Sequence, residues 1–281
     1  MTTSAELVVA LVHDVFFDGD GAARLARRLA EARAAGATLA PLPELPLHEW
    51  IGGSRIAREA DAEPPAGPRQ RLLARAAREA GVAVQGGAIV RDERTGRRSN
   101  RALLFDAHGE LLASYDKLHL PSEEGFWESD HYEPGLAPPQ PVEACGFRLG
   151  MQICSDVQRP AMCNLLGALG VELIVAPRAT PAGSFERWRT VLRADALTSA
   201  TFVISVNRPA GREDTAFGGP SIAIAPDGAV LLETTEPLST VVLERSAVVA
   251  ARSTYPGYLA VRTDLYARAW GSLAGPQREP D

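Results

Sequence analysis

A carboxylate, an ammonium and a thiol each close an apolar run in this chain: Glu44 ends "TLAPLPE", Lys117 ends "LLASYDK" and Cys154 ends "FRLGMQIC". Together they make up the parts of a nucleophilic attack on an acyl carbon. A thiol attacks as its thiolate, and a nearby cation or helix N-terminus lowers its pKa. Lys117 is placed to supply the first, and a helix opening near Pro160, a favoured first-turn residue, the second. Glu44 can accept the thiol proton and return it to a leaving amine if burial holds its own pKa near neutrality. The Lys117 ammonium and the backbone N–H of Ser155 can then stabilise an oxyanion. Singly, each residue has a plainer use: a small core residue for the cysteine, a rim or cap for the glutamate, the surface for the lysine. Their common position argues for one site, because open α/β sheets bind ligands in the crevice beyond the carboxyl ends of their strands.

The elements that must position them follow from hydrophobic periodicity. Strand-like and helical stretches alternate: a strand over 7–12, a helix over 22–35, a strand over 37–44 and a helix over 69–80. Strands over 82–90, 100–118 and 147–154 come next, with "DAHGE" as a hairpin turn inside the second. After Cys154 the pattern predicts a helix over 160–169, a strand over 171–177, a helix over 185–200 and a strand over 201–207. A hairpin over 221–234 turns at Pro226-Asp227-Gly228, and 239–244 adds an edge strand. The two halves are alike in kind, which predicts an α/β layered domain of two mixed sheets with outer helices. No linker-like break divides residues 1–281, so one domain is expected. Its tail over 250–281, "ARSTYPGYLAVRTDLYARAW" and beyond, is aromatic and weakly periodic, as an arm packing on another subunit would be. The 45–66 loop and the segments 126–132, 158–159 and 178–186 are expected to line the pocket.

Composition narrows the function classes. The 281 residues are 46% hydrophobic with 25 glycines and 21 prolines, as in a globular protein. A balance of 29 Lys+Arg against 35 Asp+Glu, net −6, and the lack of a basic stripe argue against nucleic acid. Small molecules are the expected partners. No run approaches the roughly 18 apolar residues of a membrane span, and the N-terminus lacks a basic region before its short apolar run, so a cytoplasmic protein is expected. Cys145, Cys154 and Cys163 are odd in number without CxxC or His-rich spacing, which suggests neither disulfide nor zinc and leaves Cys145 and Cys163 structural. "DGDGAARLA" at 18–26 imitates a dinucleotide-binding fingerprint, but Arg24 stands where the third glycine belongs. That makes nucleotide binding the weaker reading. His119 is expected in a structural hydrogen bond, and His13 at the pocket rim or capping a loop.

The surrounding motifs resemble the nitrilase (carbon–nitrogen hydrolase) superfamily along nearly the whole chain. "PLPELPL" resembles its glutamate segment, "NRALLFDAHGELLASYDKLHLP" its run to Lys-x-His-Leu-Pro, and "GMQICSDVQRP" its cysteine elbow. "RWRTVLRADALTSATFVISVNR" and "GPSIAIAPDGAVLLE" are similar to its late helix–strand and hairpin. The resemblance implies a four-layer αββα sandwich, a homodimer or higher homo-oligomer, and a Glu44-Lys117-Cys154 triad without metal or cofactor. In "GFWESDHYEPG" it implies a second glutamate at Glu128, positioning substrate and Lys117, with Glu123 and Glu124 as neighbours able to take that place. Ser155, Trp127 and Arg178 are the expected oxyanion or substrate contacts. Arg159 or Arg178 is a candidate partner for a carboxylate, and Glu133 or Asp130 for an amine. Ser155 and Arg159-Pro160-Ala161 depart from the aromatic residue and Phe-Pro-Glu of many members, which bears on pocket shape. "CSD" is more similar to amidase and carbamoylase branches than to true nitrilases, and the 125–135 loop resembles that of N-carbamoyl amine hydrolases. The expected reaction is hydrolysis of a small linear amide or N-carbamoyl amine through a Cys154-bound acyl group. Nitrile hydrolysis and acyl transfer to an amine are the alternatives.

Overall fold

The computed structural model of the protein describes residues 5–212 and 215–273, and its strands form two six-stranded mixed sheets. The first contains β1 (Glu6–Leu11), β2 (Leu39–Pro41), β3 (Ala83–Arg91), β4 (Arg98–Phe105) and β5 (Leu111–Asp116). The second contains β6 (Val142–Ala144), β7 (Phe147–Met151), β8 (Leu173–Val175), β9 (Phe202–Ser205), β10 (Ser221–Ile224) and β11 (Val230–Thr234), in the spatial order β11-β10-β9-β8-β7-β6. A last strand, β12 (Ser239–Glu244), returns to the first sheet and pairs antiparallel with β1, giving the order β12-β1-β2-β3-β4-β5. In each sheet the strands joined by helices run parallel (β1 with β2, β7 with β8, β8 with β9), and the hairpins are antiparallel.

Alternation along the strands assigns the layers, since successive side chains point to opposite faces. Ala102 and Leu104 of β4, Leu173 and Val175 of β8, and Phe202 and Ile204 of β9 meet in the core between the sheets. The intervening Leu103 and Phe105 pack outward with Leu25 and Leu29 of α1 (Gly21–Ala34) and Leu73 and Ala77 of α2 (Pro68–Ala80). On the opposite side Ile174 and Val203 pack outward with Leu166 of α3 (Ala161–Ala168) and Leu192 and Ala196 of α4 (Phe185–Ser199). The result is the expected four-layer αββα sandwich. Its period-3.6 helices are bounded by local chemistry: α2 opens on Pro68, whose missing N–H costs nothing there, and closes on left-handed Gly81 (φ +64°).

Several strands stop short of their expected ends, and two of these, β2 and β7, lead to residues of chemical interest. β2 ends at Pro41 because a second proline at 43 has no N–H for the ladder, and Leu45 is left-handed (φ +47°). β7 ends at Met151, and the chain then tightens into a 3-10 turn, Cys154–Gln158. Beyond β12 come α5 (Arg245–Ser253) and α6 (Thr263–Gly271). Here Tyr255, Tyr258, Leu265, Tyr266 and Trp270 are all exposed, Trp270 by 64%. Among the described residues no helix is long and apolar enough to cross a membrane.

Candidate active site

Glu44, Lys117, Glu128 and Cys154 converge at the carboxyl ends of the strands, between the two sheets. Each is at most 5% exposed. Lys117 follows β5 directly; its N–H donates to Asn100 O (2.9 Å) and its carbonyl accepts from Gly135 N (2.8 Å), so the backbone is held on both sides. Its Nζ donates to Glu44 Oε1 (2.8 Å) and to both oxygens of Glu128 (2.8 and 2.6 Å). Asn100 of β4 donates from Nδ2 to Glu44 Oε1 (2.8 Å) and to the Tyr132 hydroxyl (3.3 Å), and that hydroxyl donates in turn to Glu128. Glu44 Oε2 is buried and has no partner among the described residues. The loop that carries Glu44 is clamped from the far half of the chain. The buried Arg208 guanidinium donates to the carbonyls of Glu44 and Leu45 (both 2.8 Å) and of His48 (2.9 Å).

Cys154 occupies a strained elbow. Its φ of +47° is sparsely populated for any residue but glycine, and its N–H donates to Pro177 O (2.8 Å) beyond β8. Asp156, fully buried, anchors this elbow to the lysine strand. Its Oδ2 accepts from Ile153 N (3.2 Å) and the Tyr115 hydroxyl (2.9 Å), its Oδ1 from Leu118 N (3.1 Å) and His119 N (2.9 Å), and the His119 ring Nδ1 lies 2.9 Å from Oδ1. The Ser155 hydroxyl donates to His119 O, while the Ser155 N–H has no acceptor among the described residues. Gly150 lets α3 pack closely behind the elbow: a Cβ there would lie 2.8 Å from the end of the Leu166 side chain, which would have to shift.

Burial sets the electrostatics. It pushes the Cys154 thiol well above its usual range, with the Glu44 charge adding to that push; the Lys117 cation opposes them and does not prevail. This corrects the expectation of a lowered thiol pKa: Lys117 does pull it down, and α3 opens beside Pro160 as expected, but burial outweighs both. A protonated thiol within reach of the Glu44 charge, and a Glu44 oxygen with no partner, are the two ends that a proton transfer needs. Lys117 stays charged: burial disfavours its ammonium, but Glu128 and Glu44 outweigh that and raise its pKa. Glu128 is pushed up to about 7 by burial, against the pull of Lys117.

A cavity of about 320 Å³ opens over Cys154, lined by Glu128, Ser155, Gln158, Thr180 and Trp188 among others, with Glu123 and Arg187 also on its wall. Glu123 and Glu124 do not reach Lys117; the carboxylate there is Glu128. Two expected substrate contacts lie elsewhere. Arg178 is buried with its guanidinium on Ser205 Oγ (3.0 Å), Thr180 Oγ1 (2.8 Å) and Pro220 O, so it braces the cavity wall from behind. Trp127 turns away from its neighbour Phe126 and stacks under the Arg55 guanidinium, 4.6 Å from its ring centre. Asp130 pairs with Arg55 (2.8 Å) and Glu133 accepts from Arg98 N (2.8 Å), both structural uses. Of the histidines, His119 makes the expected structural bond, and His13 bonds Ser221 Oγ (2.8 Å) away from the cavity. The acidic turn before α1 is neutralised by Arg24 on Asp18 (2.8 Å) and Asp20, which leaves no phosphate cradle there. Among the described residues no group of three or more His, Cys, Asp or Glu is placed to hold a metal.

Sequence reasoning missed Asn100, Tyr132, Asp156 and Arg208. All four stand inside the motifs given above, and Tyr132 in a segment expected to line the pocket; for Asn100 and Asp156 a polar residue in an apolar stretch was the available signal, whereas nothing marked the Tyr132 hydroxyl or the Arg208 guanidinium as partners of the site.

Comparison with known proteins finds relatives along most of the chain. The model of the carbon-nitrogen hydrolase family matches residues 18–252. An (R)-stereoselective amidase of Pseudomonas sp. is 34% identical over 247 residues, covering 85% of each chain. The deaminated glutathione amidase of Rattus norvegicus is 30% identical over 217 residues, 73% of this chain and 66% of that one. Among solved structures, an amidase from Nesterenkonia sp. superposes with a TM-score of 0.76 at 25% identity over 96% of this chain and 98% of the other. A carbon-nitrogen hydrolase from Helicobacter pylori G27 reaches 0.82 at 18% identity over 94% and 98%, a likeness of fold. On these grounds the chain belongs to the carbon-nitrogen hydrolase family.

Proposed function

We propose that the protein is a thiol-dependent amidase acting on a small linear amide or N-carbamoyl amine, with Glu44, Lys117 and Cys154 as catalytic residues and Glu128 positioning Lys117. The observation that carries this reading is Glu44. One oxygen is tied down by Lys117 and Asn100, the other is buried without a partner, and the adjacent thiol is held protonated. Glu44 Oε2 takes the thiol proton as Cys154 Sγ bonds to the carbonyl carbon, and the carbonyl π pair moves to oxygen. The resulting oxyanion faces the Lys117 ammonium and the unengaged Ser155 N–H. Collapse breaks the C–N bond, Glu44 returns its proton to the departing ammonia or amine, and a thioester or thiocarbamate remains on Cys154. A water deprotonated by Glu44 then hydrolyses it, restoring the thiol. Amides are favoured over nitriles by the Cys-Ser-Asp elbow and by relatives described as amidases; the N-carbamoyl variant rests on the 125–135 loop. Hydrolysis rather than transfer to an amine is part of the proposal, as is the exposed tail packing on a second copy of the chain.

The test is intact-mass spectrometry of wild type, Glu44→Gln and Cys154→Ala after incubation with a panel of amides, N-carbamoyl amines and nitriles. Glu44→Gln is expected to retain an acyl adduct that maps to Cys154, and Cys154→Ala to lose adduct and at least about a thousandfold in turnover. Full turnover by Cys154→Ala would overturn the reading.

A further inference from the structure

The cavity over Cys154 has a larger neighbour. A groove of about 830 Å³, with Trp50, Ile51 and Ile56 on its apolar side and Glu49 and Glu124 at its rim, shares two lining residues with that cavity, Phe126 and Pro181. These two therefore stand between the spaces. The Phe126 ring meets Trp50 and Phe217 edge-on, with ring centres 5.8 and 6.1 Å away. Its backbone is set by a tight turn: Phe126 N donates to Glu123 O (2.8 Å), Gly125 is left-handed (φ +79°), and Trp50 Nε1 donates to Gly125 O (2.9 Å). Two residues on, Glu128 grips Lys117, so one loop carries both the partition and part of the charge network.

The reaction direction decides which end of a substrate meets this partition. A leaving amine must collect its proton from Glu44, which is 1% exposed at the base of the site. For a primary amide, which releases ammonia, the nitrogen therefore faces inward, and the acyl chain points outward to Phe126 and Pro181. We infer that Phe126 is a specificity-determining residue that limits acyl-chain length, and that the groove behind it is a latent subsite for longer apolar acyl chains. Arg58 shares the groove's wall with Glu49 and Glu124, so the groove offers charge of both signs beside its apolar side. The inference rests on the proposed role of Cys154 and adds to it the size and polarity of the acyl group.

The experiment measures kcat/KM of straight-chain primary amides from propanamide to octanamide, where the leaving group is always ammonia, for wild type, Phe126→Ala and Phe126→Val. The readout is the octanamide to propanamide ratio, in which the fraction of active enzyme cancels; mass spectrometry of the Cys154 adduct runs alongside. Wild type is expected to favour propanamide, and the ratio to rise at least about tenfold in Phe126→Ala with a smaller rise in Phe126→Val. A wild type that already handles octanamide as well as propanamide, or a ratio unchanged in the variant that turns over, overturns the inference and leaves the proposed chemistry standing. No turnover and no Cys154 adduct with any amide in wild type overturns both.

Discussion

At the scale of single residues the site is one buried cation shared by two buried carboxylates. Such a set titrates as a unit, and its members respond to each other's partners. Glu128 shows this: burial raises it to about 7, whereas the hydrogen bonds from Lys117 and the Tyr132 hydroxyl favour its charged form. Removing the Tyr132 donor must therefore raise it further. Tyr132→Phe is expected to move the acid limb of the kcat/KM profile upward by about one pH unit, the worth of one hydrogen bond to a buried charge. The sign is fixed, since a weaker hold on the carboxylate lets it take up its proton at higher pH. A pH–rate comparison of the two proteins checks this, and an unmoved limb assigns it to another group. Sequence motifs identified Glu44, Lys117, Glu128 and Cys154; that Tyr132 bonds one of them was not legible, because a tyrosine in a loop has no pattern to mark it.

At the scale of elements the decisive device is the joint between the cysteine elbow and the lysine strand. Periodicity located both β5 and β7, but it ran β2 and β7 on to Glu44 and Cys154 themselves, whereas both strands stop three residues earlier. The intervening residues leave the ladder so that the side chains can converge, at the cost of a positive φ at Cys154. Asp156 holds that geometry with two main-chain amides of 118–119, the amide of Ile153 and the Tyr115 hydroxyl. Asp156→Ala strands these donors in a dry interior, where each unsatisfied group costs roughly 1–3 kcal/mol. A loss of about 3 kcal/mol or more by urea unfolding is expected, together with at least about a hundredfold in kcat, because the thiol is no longer held against Lys117. Wild-type turnover in a folded Asp156→Ala protein would show that the elbow holds itself.

At the scale of the whole molecule, β12 joins the end of the chain to its beginning by pairing with β1, with the register Leu7 opposite Leu243 and Val9 opposite Val241. Periodicity predicted an edge strand here without naming its sheet, since strand pairing is a long-range choice. Past this strand, Tyr258, Leu265, Tyr266 and Trp270 leave their apolar surface to solvent in the single chain, more than an isolated molecule ordinarily tolerates in one segment. Gel filtration with light scattering is expected to give the full chain a mass at least twice its 29.9 kDa, and a chain ending at Ser253 the mass of one copy. A monomeric full chain at micromolar concentration would remove the second copy from the proposal.

What the sequence determined by itself is what short-range chemistry can carry: most strands and helices as far as β12, though not β6, α5 or α6, and which four residues bear motifs of a carbon–nitrogen hydrolase. Tertiary structure decided the rest. Whether a thiol is raised or lowered depends on how many atoms from both sheets exclude water around it. Whether Arg178 and Trp127 reach a substrate depends on side-chain directions that adjacent residues reverse. The partners of Glu44 lie 56 and 73 positions away in the chain, on β4 and just past β5, and are brought within 2.8 Å by strand pairing and by the turns that follow the strands. No local pattern encodes such distances, because they are sums over the packing of the whole sandwich.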